Sequence, residues 1–167
     1  CPLPVQKLKS SDVTMELLEQ LPDKYWIFGN FSNMQLELLP SVVANMNYSV
    51  LEYDYKYCKW RSPQKHEVAE NTPCNCAEDM HGKIISAFYY GAKSLWWMSE
   101  AQMDHYHAKF AFLQERENVV LSSVFDDRFF ATVTALTEQN KDKERSGWVI
   151  LGSTSWVKGF DAAEQYC

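Results

Sequence analysis

A chain of 167 residues with a formal charge of −6 (16 Lys and Arg against 22 Asp and Glu) has the length for one domain with its own core, and 46% apolar with 23% charged residues is a globular composition. The acidic balance repels phosphate backbones and supplies none of the counterion release that drives nucleic-acid binding, which excludes nucleic acid and anionic membrane as expected partners. No apolar run approaches the roughly 18 to 20 residues of a membrane-spanning helix, so no membrane insertion is expected.

In chain order, residues 1–23 are mostly irregular, with Pro2 and Pro4 beside Cys1 and one short helix predicted in SSDVTMELLEQLP, capped by Ser11 or Asp12 and stopped by Pro22. From Tyr25 the pattern turns to β. YWIFGNF, VVANMNYSV, LEYDYKYCKW, GKIISAFYY, YHAKFAFLQE, NVVLSSVF, RFFATVTALT and GWVILGST are rich in β-branched and aromatic residues and are parted by polar breaks. Tyr53, Tyr55 and Tyr57 alternate with Asp54 and Lys56, and Tyr106, Ala108, Phe110 and Phe112 alternate around His107 and Lys109, which predicts strands with one aromatic and one wet face. Residues 61–81 read as a long polar loop, and GAKSLWWMSEAQMDH as a connection whose Trp96 and Trp97 cover one end of the fold or form a self-association patch. No long helices are read between the strands, so the expected fold is all-β, an eight-stranded antiparallel up-and-down barrel or a sandwich, in one domain over 1–167.

Five cysteines, with Cys1 and Cys167 at the ends, read together with Cys58, Cys74 and Cys76 as a disulfide framework, and the start at Cys1 without methionine reads as a mature secreted protein. Sequons at Asn30 and Asn47 agree with an extracellular glycoprotein. Cys74 and Cys76 with His66 and His81 invite a metal reading. Cys-x-Cys is not the usual zinc spacing and an oxidising compartment consumes thiols, so no metal is expected. Gly-x-Ser-x-Gly and His-Glu-x-x-His are both absent, and Asp126-Asp127 reads as turn chemistry, so no catalytic residues are assigned and the chain is not expected to be an enzyme.

The run VVLSSVFDDRFFATVTAL, then TEQNKDKERS, then GWVILGSTS resembles the last three strands of the lipocalins, in the branch with apolipoprotein D, the insecticyanins and the crustacyanins; CPLPVQ, DKYWIFGNF and ANMNYSV are similar to its opening segments. The resemblance touches residues 1–6, 23–50 and 117–154. It implies an eight-stranded barrel with a short N-terminal helix and a C-terminal helix stub, and pairs Cys58 with Cys167 and Cys1 with Cys74 or Cys76. Function would then be that of a secreted carrier binding a hydrophobic small molecule, a pigment such as carotenoid or biliverdin or else a lipid, in a cavity lined by Tyr53, Tyr55, Tyr57, Phe88, Tyr90, Tyr106, Phe110 and Phe112. No cofactor is required beyond such a bound chromophore or lipid, and a homo-oligomer stays open. The alternatives are a salivary or immune scavenger of amines or lipids, and a lipid-modifying enzyme using a cavity cysteine.

Overall fold

Residues 4–122, 125–147, 149 and 160–166 are described in a computed structural model of the chain, which divides into a unit over Cys1–Ser123 and a second over Val124–Cys167. The first unit is built on four strands, β1 (Tyr25–Phe28), β2 (Asn47–Glu52), β3 (Ser94–Trp97) and β4 (Glu117–Val120), hydrogen-bonded in that order and all parallel. Parallel neighbours need a crossover, and each one here is helical. It follows that α2 (Leu39–Asn45) joins β1 to β2, α3 (Pro63–Glu70) and α4 (Met80–Gly91) join β2 to β3, and α5 (Glu100–Lys109) joins β3 to β4.

Register decides which side chains share a face. Phe28 lies beside Val50 and Val50 beside Leu95, while Glu52 lies beside Trp97. Phe28, Tyr48 and Trp97 on this face meet Phe88 and Tyr89 of α4 and Tyr106 of α5 through ring contacts of 4.8 to 6.4 Å. Tyr48, Phe88, Tyr89, Trp97 and Tyr106 are all buried, and each large ring removed from such a core costs about 3 to 5 kcal/mol. The opposite face carries Tyr25 and Ile27, both more than half exposed, with the Tyr25 and Ser49 hydroxyls 2.5 Å apart.

Before β1 comes α1 (Met15–Gln20), the helix expected from the sequence, although its cap is Thr14, whose Oγ1 accepts from the Leu17 amide at 3.2 Å, and not Ser11 or Asp12. Thr14→Ala should lower stability by about 1 kcal/mol, read as a small fall in the urea midpoint with an unchanged slope.

The all-β barrel is overturned. β1, β2 and β4 fall within runs read as strands, but GKIISAFYY is helix α4, YHAKFAFLQE is the end of α5 with a 3-10 turn at Ala111–Glu115, and RFFATVTALT is helix α6 (Asp127–Gln139) of the second unit. LEYDYKYCKW continues β2 for two residues and then turns; the loop at 61–81 holds α3; Trp96 and Trp97 form β3. The lipocalin and β-barrel expectations fall with the antiparallel sheet: four parallel strands in an open row do not enclose the central cavity that eight closed strands would. GWVILGST lies outside the described residues apart from Gly147 and Val149. The C-terminal helix stub is present as α7 (Phe160–Tyr166).

In the second unit α6 is capped by Asp126, whose Oδ1 accepts from the Phe129 amide at 2.8 Å. A groove of about 430 Å³ lies along it, lined by residues that include Val133, Leu136 and Arg145 and none of the eight aromatic candidates.

Candidate metal centre

The long connection from β2 to β3 gathers four side chains that are widely spaced in sequence. After Glu52 the chain folds back in a tight turn in which the Cys58 amide donates to the Tyr55 carbonyl at 2.9 Å, the Arg61 amide to the Cys58 carbonyl at 2.8 Å and the Tyr55 amide to the Arg61 carbonyl at 3.3 Å. Arg61 takes a left-handed φ of 57° to complete it. Ser62 then caps α3 through the Lys65 amide at 3.3 Å and Pro63 pre-sets the first helical turn, which brings His66 inward at 4% exposure. Asn71 ends α3 in the left-handed region, and the loop that follows carries Cys74 and Cys76 before α4 begins.

The result is a cluster in which Cys58 Sγ, His66 Nδ1, Cys74 Sγ and Cys76 Sγ all lie within 4.8 Å of one another. Cys58 Sγ is 3.6 Å from Cys74 Sγ and 3.8 Å from His66 Nδ1, and Cys76 Sγ is 3.2 Å from the same nitrogen. Bond lengths of ~2.3 Å for Zn–S and ~2.0 Å for Zn–N put the edges of a tetrahedral Cys3His site at roughly 3.5 to 3.8 Å. The spacing fits. Backbone amides support the sulfurs too, Trp60 N–H reaching Cys58 and Cys76 N–H reaching Cys74. Burial pushes the Cys58 thiol up to about 12 and raises Cys74 as well, so without a cation these sulfurs are held as thiols; a dication at the centre reverses that preference and takes them as thiolates.

The surroundings fix the cluster. Nε2 of His81 lies 2.8 Å from the Lys56 carbonyl, tying α4 to the turn before Cys58, so His81 belongs to the outer layer and not to the ligand set. A Cβ on Gly82 would stand 2.0 Å from the Cys76 carbonyl oxygen, so only glycine lets α4 pack this closely on the cysteine loop. Tyr57, fully buried beside the sulfurs, has its hydroxyl 2.6 Å from His105 Nε2; burial and the neighbouring Cys74 raise the phenol, and burial lowers His105, so the hydroxyl donates to a neutral imidazole.

A second buried group sits on the same connection. Glu52, at the carboxyl end of β2 and 1% exposed, accepts from the Asp54 amide at 2.7 Å and from Lys56 Nζ at 2.8 Å through one oxygen, and from the Tyr89 hydroxyl through the other. Lys56 Nζ is also 3.1 Å from Asp54 Oδ1 and lies 5.1 Å from the centre of the Phe31 ring. Burial pushes Glu52 up to about 8 against the pull of Lys56. Burial pushes Asp54 upward too, but its contacts with Arg61 and Lys56 outweigh that and hold it below its ordinary value.

Of the residues expected to line a ligand cavity, Tyr55, Tyr57, Tyr106, Phe110, Phe112 and Tyr90 are linked by ring contacts of 5.4 to 6.5 Å, with Tyr53 and Phe88 outside that chain of contacts. Tyr57, Phe88, Tyr106 and Phe110 are buried in the core, Tyr55 is partly buried with its ring stacked on Tyr106 at 6.0 Å, and Tyr53, Tyr90 and Phe112 are exposed. Asn30 and Asn47 are exposed; Asn30 accepts from the Ser32 hydroxyl at 2.9 Å. Cys58, Cys74 and Cys76 are free of bonds to one another, and Cys1 and Cys167, their expected disulfide partners, lie outside the described residues. The structure replaces His81 with Cys58 in the metal grouping that the sequence suggested and set aside.

No family model matches the chain, and comparison with curated proteins and with solved structures finds no match.

Proposed function

We propose that this chain is a zinc-binding α/β domain whose Cys3His centre, formed by Cys58, His66, Cys74 and Cys76, locks the connection between β2 and α4. The observation that carries this reading is the convergence of three sulfurs and one imidazole nitrogen within 4.8 Å from three separate segments of chain. Soft thiolates with one imidazole select zinc among the common divalent ions, and four protein ligands leave no open coordination position, so the ion's work is structural. It fixes the turn at 53–61, the orientation of α3 and the start of α4 relative to one another. The same sulfurs are consumed by disulfide formation in an oxidising compartment, so the reading requires that they stay reduced until the ion binds.

The test is metal analysis of full-length protein purified under reducing conditions, with cobalt substitution as the readout of geometry. About one zinc per chain, and cobalt absorption with strong thiolate charge-transfer and tetrahedral d–d bands that are lost in Cys76→Ser, are the expected results. Protein that takes up no zinc when reduced, or cobalt bands characteristic of six oxygen ligands, sinks the reading.

A further inference from the structure

The four ligands are unequal in their access to solvent. Cys58 and Cys76 are buried, at 0% and 2% exposure, whereas Cys74 is only partly covered and stands in the loop between α3 and α4. Its sulfur lies 3.6 Å from that of Cys58, close enough for a disulfide to form with a small local movement. Cys74 and Cys76 are separated by one residue, and a bridge between such neighbours closes a strained ring. Oxidation that begins at the reachable sulfur therefore has one well-placed resolving partner.

Resting on the zinc reading above, we infer that the centre is a peroxide-sensitive switch in which Cys74 is oxidised first and Cys58 resolves it. The Cys74 thiolate attacks one oxygen of hydrogen peroxide, the O–O bond breaks, and the sulfur becomes a sulfenic acid while hydroxide leaves and takes a proton from solvent as water. The Cys58 thiolate then attacks the Cys74 sulfur, forming the S–S bond as the S–O bond breaks, and the hydroxide released takes a proton from solvent as a second water. Two electrons leave the two sulfurs and reduce one peroxide. The centre loses two of its four ligands, and His66 and Cys76 alone do not hold zinc, so the ion is released.

The experiment uses zinc-loaded full-length protein and hydrogen peroxide, with released zinc followed by a chromogenic chelator and the products mapped by non-reducing tryptic digestion. Trypsin places Cys58 in the peptide of residues 57–59 and both Cys74 and Cys76 in that of residues 66–83. The expected result is loss of about one zinc per chain together with a cross-link between these peptides that fragmentation assigns to Cys74, and recovery of zinc binding after dithiothreitol and added zinc. Zinc release with a Cys74 to Cys76 bridge, with only sulfinic or sulfonic acid, or with no modification at Cys74 overturns the switch, as does zinc retention under peroxide. A reduced chain that never takes up zinc overturns the zinc reading and the switch together, so the two failures are told apart by the loading step. Mapping the unmodified sequence makes the test independent of whether a cysteine variant folds.

Discussion

Chelation of the metal should lower the thermal midpoint of the first unit by roughly 10 °C. An ion that binds only the folded state stabilises it by about 2.7 kcal/mol when free metal exceeds its dissociation constant 100-fold, and a unit of this size shifts by about 4 °C per kcal/mol. The ion adds to the side-chain ties already on this connection, such as Tyr57 to His105 and His81 to the Lys56 carbonyl, and joins the turn, α3 and the cysteine loop at one point. Between the end of β2 and the start of α4 the regular structure is the eight-residue α3, whose inward side chain is a ligand. The constraint also reaches the core: Cys76 packs against Gly82 at the first turn of α4, and α4 carries Phe88 and Tyr89 to the sheet. The measurement is a pair of melts followed by circular dichroism, one with excess zinc and one with a strong chelator, both in reductant. Coincident melts from protein shown to carry zinc would place the ion at the periphery and remove its structural assignment.

The parts of the fold that were legible in the sequence are those whose local pattern agrees with their tertiary surroundings. YWIF, bounded by Asp23 and Lys24 before and Gly29 after, forms β1, and MELLEQ before Pro22 forms α1. Where strand expectation and helix differ, aromatic and β-branched composition points one way and the spacing of the buried residues the other. In GKIISAFYY the buried residues are Gly82, Ile85, Ser86, Phe88 and Tyr89, a helical progression of three and four. In YHAKFAFLQE the apparent alternation of Tyr106, Phe110 and Phe112 dissolves once Leu113 is included, because Tyr106, Phe110 and Leu113 are buried and Phe112 is not. Asp126, three residues before the first bonded amide of α6, is a helix-cap residue as well as a turn residue.

The metal centre was half legible. Seven residues separate Cys58 from His66 and seven separate His66 from Cys74, which matches no usual zinc spacing, and the composition around Cys58 points to a strand. No residue spacing announces the left-handed turn at Arg61 or the reversal at Asn71, and those two backbone positions bring the ligands together. An oxidising compartment and a metal centre are competing expectations for the same thiols, since a sulfur committed to a disulfide is not a ligand.

Glu52 gives the second large effect. Glu52→Ala takes the acceptor from two buried donors, Lys56 Nζ and the Tyr89 hydroxyl, so it should cost about 3 kcal/mol. Its pH behaviour is more diagnostic. An unfolded chain releases the Glu52 proton near 4.5, whereas the folded protein holds it up to about 8. Between those values the folded state binds the extra proton, so raising the pH favours unfolding. Stability owed to this group is whole below about 4.5 and is withdrawn as the pH climbs through 8, by at most roughly 5 kcal/mol over the window. Glu52→Gln cannot ionise, so it should lack this part of the parent's decline, and any pH dependence from the zinc centre cancels in the difference. Urea unfolding of both proteins at pH 5 and pH 8, with the same free zinc, reads that difference directly. Parallel profiles would mean that Glu52 is ionised in the folded protein at both pH values and that Lys56 outweighs its burial; a gap that widens toward pH 8 would mean that burial wins.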